Sequence, residues 1–252
     1  EVFCETSGIV FRHINDTEFP QTYRCLFAFS AKLGGLKTGM FECAETGNPY
    51  AFKVLFRSFC EHYLRFMYVW TRFTHEATDQ PGQDYYNYCG ATEALDYVNS
   101  LSASERLLGT DAAVNAKQIA ATLYPELDTI SNAELERRAG VFKYRSILRF
   151  LALEPHEFIS AESPFLSRII PTYALLSSFV HGGPYAELEM AGFSKPSALE
   201  ECHADAELVV ALTASAYMLT SAAVAREHKD VAEVPQKVKN VIDLLFHTSS
   251  AA

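Results

Sequence analysis

One run of sequence limits the fold more than any other. From Tyr50 to Gln80 no Gly or Pro interrupts the chain, and Pro49 stands where a first helical residue is best tolerated. Within that run Phe52, Leu55, Phe56, Phe59, Tyr63, Phe66, Met67 and Trp70 recur three or four residues apart. That is the period of a helix face and not the alternation of a strand, so the spacing predicts a long aromatic helix at the centre of the core.

The remaining punctuation divides the chain into further helices. The pattern predicts Gln21 to Leu33, ending at Gly34-Gly35, then Asp111 to Tyr124, Asn132 to Ala139 and Phe142 to Leu153. Ser131-Asn132-Ala133-Glu134 fits a capping box, in which the Ser oxygen and the Glu carboxylate each satisfy an orphan amide. Another helix opens at Ser163-Pro164, passes Pro171 as a candidate kink, and ends with His181 before Gly182-Gly183-Pro184. Ala204 to His228 and Pro235 to His247 close the set. No run reads as a sheet, because β-branched residues are interspersed at helical spacing.

The expected architecture is therefore all-α: one helical domain over residues 1–252, able to bury a sizeable core at this length. Residues 1–48 are read as an N-terminal helix and loops, 49–184 as the helical core, and 185–252 as C-terminal helices. A formal net charge of -10 argues against a generally basic, nucleic-acid-tracking surface and leaves room only for a local basic patch. Six cysteines without a CxxC pair read as reduced thiols. The sequence opens at Glu1 without a basic-then-apolar leader, so a cytoplasmic protein is expected. The uncharged stretch Leu208 to Ala225 is rich in Ala, Ser and Thr and is read as a buried core helix, with no membrane partner.

Two constellations can carry chemistry. Arg57, Glu61, Arg65, Tyr68 and Arg72 form a polar stripe on the long helix at three- and four-residue spacing. A solvated face with weak i,i+4 pairs accounts for such a stripe, but Phe56 and Phe59 flank Arg57 and draw its guanidinium inward, where it needs a partner. On the later helix Tyr173, Ser177 and His181 share one face at four-residue intervals. His181 suits a helix C-terminus as a structural cap, or serves as a general acid or base held at an element end.

Leu55-Phe56-Arg57-Ser58-Phe59-Cys60-Glu61 and the later Tyr173-Ala174-Leu175-Leu176-Ser177-Ser178-Phe179-Val180-His181-Gly182 together resemble a group of uncharacterised bacterial helical proteins. Their pattern is an R-x-x-x-E helix followed by a Y-x-x-L-S-x-x-x-H helix, and they look like relatives of the HEPN superfamily. The motifs cover under a tenth of the chain. The resemblance implies an all-α bundle, often a homodimer, in which an Arg and a His cut RNA at a symmetric cleft without metal. Arg57 and His62 satisfy the linear HEPN spacing, yet residues five apart in an ideal helix lie about 140° apart around its axis. The cross-helix set Arg57, Glu61 and His181 is therefore preferred as the catalytic candidate, with Tyr173, Ser177 and Arg65 as binding residues around it.

Three readings stay open. The cluster serves a ligand- or partner-binding module of a bacterial system such as defence or toxin–antitoxin, with a small anionic ligand, RNA or a protein as partner. Alternatively it forms a ribonuclease site, or a polar network that only fixes helix register. No cofactor is expected, and His62, His75, Cys202 and His203 lack metal-ligand spacing. Gly34-Gly35-Leu36-Lys37-Thr38-Gly39 has phosphate-loop residue types but no Gly before the Lys and no preceding strand, so it is read as a turn.

Overall fold

The computed structural model describes residues 2–109, 116–153, 163–193 and 195–249, and the described residues contain helices and no strand. The long aromatic run forms α3 (Pro49–Glu76), entered through Asn48, whose side chain accepts the Ala51 amide at 3.1 Å. It buries Phe52, Phe56, Phe59, Tyr63, Phe66 and Phe73 completely or nearly so, which makes it the axis of the main core. Before it come α1 (Val2–Arg12) and α2 (Pro20–Glu45). The short link between α2 and α3 makes them antiparallel neighbours.

Helix α2 corrects two expectations. It does not stop at Gly34-Gly35, and the Gly34 to Gly39 stretch is neither a turn nor a phosphate loop but part of one 26-residue helix. Glycine in a helix interior costs about 1 kcal/mol each relative to alanine. Leu33 and Met40, both fully buried on either side of the glycines, supply the packing that outweighs it. Gly39 also serves the packing, since a Cβ there would sit 3.2 Å from Leu55 Cδ1 on α3.

Short helix α4 (Gln80–Asp84) seats on the start of α2. Asp79 caps α2 from outside it, accepting the Thr22 amide at 2.7 Å and the Gln21 amide at 3.2 Å. Gly82 is required there, because a Cβ would fall 2.3 Å from the Thr22 nitrogen. A π-helical turn (Tyr85–Cys89) leads into α5 (Gly90–Leu107). Then come α6 (Ala116–Ala121), α7 (Asn132–Ala139) and α8 (Tyr144–Leu153). The start of the expected Asp111 to Tyr124 helix, residues 111–115, lies outside the described residues. Ser131 does cap α7, accepting the Glu134 amide at 3.2 Å, but the Glu134 carboxylate turns to Arg137 and Arg138 instead of completing the box. Tyr88, Ala91, Ala120, Leu127 and Leu135 build a small second core under this region.

Helix α9 (Ser163–His181) runs through Pro171 and ends at Gly182, whose φ of 62° is the left-handed C-terminal conformation that glycine adopts without strain. Pro184 does not merely terminate it: it opens α10 (Pro184–Met190) as an N1 proline. The last helices are α11 (Pro196–Ala225) and α12 (Val234–Ser249). Helix α11 is long and apolar enough to cross a membrane, but 67% of its apolar window is buried inside the bundle. There Ser30 on α2 meets Thr220 at 2.9 Å, and Trp70 Nε1 donates to the Leu219 carbonyl at 3.3 Å. Cys25, Cys43, Cys60, Cys89 and Cys202 are free thiols.

Candidate functional site

Arg57 is the centre of the site. Its residue is only 9% exposed, because the flanking aromatics of α3 face the core and carry its stem with them. A buried guanidinium needs acceptors, and α9 supplies them. Nε donates to Ser177 Oγ at 3.2 Å, Nη1 to Glu61 Oε2 at 2.5 Å, and Nη2 to the Tyr173 hydroxyl at 2.5 Å. Ser177 can accept because its own proton is used on the Tyr173 carbonyl at 3.0 Å. Four-residue spacing thus puts an acceptor and a ring on one face of α9, opposite the R-x-x-x-E face of α3.

The aromatic part of the site comes from two helices. The Arg57 guanidinium carbon lies 3.7 Å from the Tyr173 ring centroid, and the Tyr144 ring stacks on Tyr173 at 3.9 Å between centroids, 18° from parallel. Two groups so close to one centroid cannot share a face, so Arg57 and Tyr144 sandwich the Tyr173 ring. Tyr144 is fixed in turn by donating to the Ile170 carbonyl at 3.0 Å. Sequence spacing did not reveal Tyr144, which lies on α8 and belongs to neither motif.

Glu61 closes the belt by accepting Arg65 Nη2 at 2.7 Å on its other oxygen. Burial pushes its carboxyl up, but the hydrogen bond from Arg57 and the charges of Arg65 and Arg57 outweigh this and hold it below the ordinary range. Arg65 keeps a second group in reserve: its Nε is shut off from solvent and has no hydrogen-bond partner among the described residues. Beside it lies a crevice of only about 10 Å³, lined by Glu61, Leu64, Arg65, Phe142, Tyr144, Ile147 and Tyr173. Small-molecule sites usually enclose about 300–1,000 Å³, so in this conformation the crevice has room for about one water, and a larger group enters only if the side chains around it move. A larger hollow between α10 and α11, lined by Leu188, Gly192, Phe193, Lys195 and Glu201, contains no residue of the belt.

The belt therefore joins Arg57, Glu61, Arg65, Tyr173 and Ser177. His181, one turn beyond Ser177, is exposed, and its side chain makes no hydrogen bond or ion pair with Arg57 or Glu61. His62 faces away from Arg57, as the 140° separation requires, with its ring 6.1 Å from Phe29 on α2. Burial, then the charges of Lys32 and Arg65, lower its pKa to about 4. Tyr68 is buried, and Arg72 pairs with Glu76 and Asp84, so the polar stripe is not a solvated face along its length.

Chemically, this arrangement can hold a charge better than it can transfer a proton. Arg57 spends its fork on fixed acceptors, and Glu61, flanked by two guanidiniums, is a poor proton acceptor. Two cations against one carboxylate leave the belt net positive within an acidic chain. Comparison with protein-family models, with curated proteins and with solved structures finds no match to this chain.

Proposed function

We propose that this chain is a HEPN-like helical binding module, in which the Arg57 belt fixes the packing of α3 against α8 and α9 and Arg65 receives a small oxyanion. The single observation that carries the reading is the Arg65 Nε, a buried donor without a partner among the described residues, on a residue that lines a small crevice together with Tyr144 and Tyr173. Leaving such a donor unsatisfied costs about 1–3 kcal/mol, and a phosphate or carboxylate oxygen that meets it when the Arg65 side chain, itself 22% exposed, swings outward recovers that cost. The two motifs on which the family resemblance rests meet directly through Arg57, Tyr173 and Ser177, which supports an arrangement shared by such proteins. Leu175, Val180, Leu188 and Met190 stand exposed on α9 and α10 and offer apolar surface to a second copy of the chain in a homodimer.

A metal-independent ribonuclease using Arg57 and His181 has less in its favour, because each nitrogen of the Arg57 guanidinium already donates to a fixed acceptor and His181 is not oriented by it. Calorimetric titration with inorganic phosphate, run beside incubation with a mixed RNA pool with and without chelator, tests the reading. Binding of phosphate that Arg65→Gln removes, with the RNA left intact, is the expected result. RNA cleavage that His181→Ala abolishes would replace the binding module with a nuclease.

A further inference from the structure

A second polar cluster lies away from the belt, where the end of α1 meets the turn between α11 and α12. One ring nitrogen each of His13 and His228 and one carboxylate oxygen of Asp16 lie within 4.8 Å of one another. The two imidazoles stack with centroids 3.9 Å apart and planes 20° from parallel. His13 Nε2 is held by Asp230 Oδ2 at 2.8 Å, which leaves Nδ1 of the same ring as the second nitrogen. We propose that His13, His228 and Asp16 bind a divalent cation of the zinc type, with Asp230 orienting His13.

The ligand set argues for that class of ion. Two imidazoles and one carboxylate suit a borderline-soft ion such as zinc, whereas magnesium and calcium take oxygen ligands almost exclusively. A carboxylate hydrogen-bonded to the far nitrogen of a ligating His is the usual outer shell of such sites, since it fixes the tautomer and the ring plane. His228 carries the independent observation. Its Nε2 is shut off from solvent with no hydrogen-bond partner among the described residues, and a buried polar atom of that kind calls for a bound group.

The backbone around the cluster is already fixed. Glu227, next to His228, accepts the Thr17 hydroxyl at 2.9 Å, the Glu18 amide at 3.0 Å and the Tyr23 hydroxyl at 2.6 Å. Both ligand-bearing segments are therefore tied to the same carboxylate. With metal–ligand bonds of about 2.0–2.2 Å, ligand atoms around a tetrahedral ion sit roughly 3.4 Å apart. Closing the cluster from 4.8 Å requires rotation of exposed Asp16 and a reorientation of the two stacked rings, whose in-plane nitrogens must turn to converge on one ion. Three protein ligands leave a fourth position for water. His13 and Asp230 are 217 residues apart, so no local motif announces the site. Its role is to staple the N-terminal helix to the far end of the chain.

The test uses tag-free full-length protein, stripped with chelator and kept reduced. Zinc is titrated by calorimetry and cobalt by visible absorption, with the thermal midpoint recorded at each metal ratio. The expected result is one ion per chain, cobalt bands of a low-symmetry nitrogen–oxygen site, and a midpoint that rises with zinc. Asp230→Asn weakens binding by about 10–100-fold, as loss of an outer-shell carboxylate does elsewhere. The His13→Ala/His228→Ala pair abolishes the site, and Asp16→Asn, at an exposed position, reports on it with the fold undisturbed. No stoichiometric binding to the wild-type chain, or binding unchanged in Asp16→Asn and in the double variant, overturns the proposal.

Discussion

Arg57 and Tyr173, 116 residues apart, meet by both face and edge: the guanidinium carbon lies 3.7 Å from the ring centroid while Nη2 donates to the hydroxyl at 2.5 Å. This contact ties the central helix to α9, so its loss is felt as stability. Arg57→Ala leaves Tyr173 without this donor and Glu61 with Arg65 alone, and is expected to cost about 2–3 kcal/mol in urea denaturation. That is less than the ~3–5 kcal/mol of a fully buried pair, because Glu61 is about a third open to water. Arg57→Lys recovers little of it, since an ammonium has neither the fork nor the flat face. A neutral Arg57→Ala would mean that the belt does not hold α9.

The aromatic axis gives a second prediction. Phe59 is fully buried on α3, so Phe59→Ala should cost about 3–5 kcal/mol by the same denaturation measurement. A cost under about 1 kcal/mol would contradict its place in the core.

Two neighbouring groups on α3 predict how stability changes with acid. His62 has a folded pKa of about 4 against an ordinary 6.5, so between those values the unfolded chain binds a proton that the folded chain refuses. Stability should fall as pH drops from about 6.5 to 4, and His62→Leu should flatten that limb. Glu61 acts in a separate window: its carboxyl is held below the ordinary 4.5, so its contribution is present above that value and is lost as pH falls through the folded pKa. Denaturation midpoints across pH, with a proton NMR titration of the His62 ring, check both. A His62 that titrates near 6.5 would contradict its burial beside Lys32 and Arg65.

His181 supplies a control. Exposed and outside the belt, it should tolerate His181→Ala with a change within about 0.5 kcal/mol, and an RNA pool should stay uncut by both proteins. Cleavage by the wild type that the variant loses by orders of magnitude would assign His181 to catalysis.

Most of the helical layout could be read from periodicity. The α3 start falls at Pro49 because an N1 proline and the Asn48 cap act locally, and α9 begins at Ser163, where the Ser-Pro pair predicts a start. Helix α2 could not be read through Gly34-Gly35, because what carries it across is contact with other helices, and local propensity is silent about that. The same limit applied to α1, α5 and α10, whose amphipathic pattern is short or weak. At the site, the four-residue spacings put Arg57 with Glu61 and Tyr173 with Ser177, and Phe56 and Phe59 signalled the inward pull on Arg57. Tyr144 and the unsatisfied Arg65 Nε were invisible, since both depend on how α8 lies across the motif helices. His181 shares the register of Tyr173 and Ser177, but a shared face does not place it within reach of Arg57.

The central claim is that Arg57 is spent on structure while Arg65 is left for a ligand. Nitrogen-15 NMR of the arginine Nε–H groups during titration with inorganic phosphate addresses it at the atoms concerned. The account predicts that the Arg65 Nε–H signal shifts with saturation while that of Arg57, bound to Ser177, stays in place. An Arg65 signal that does not move, or an Arg57 signal that moves first, would contradict it.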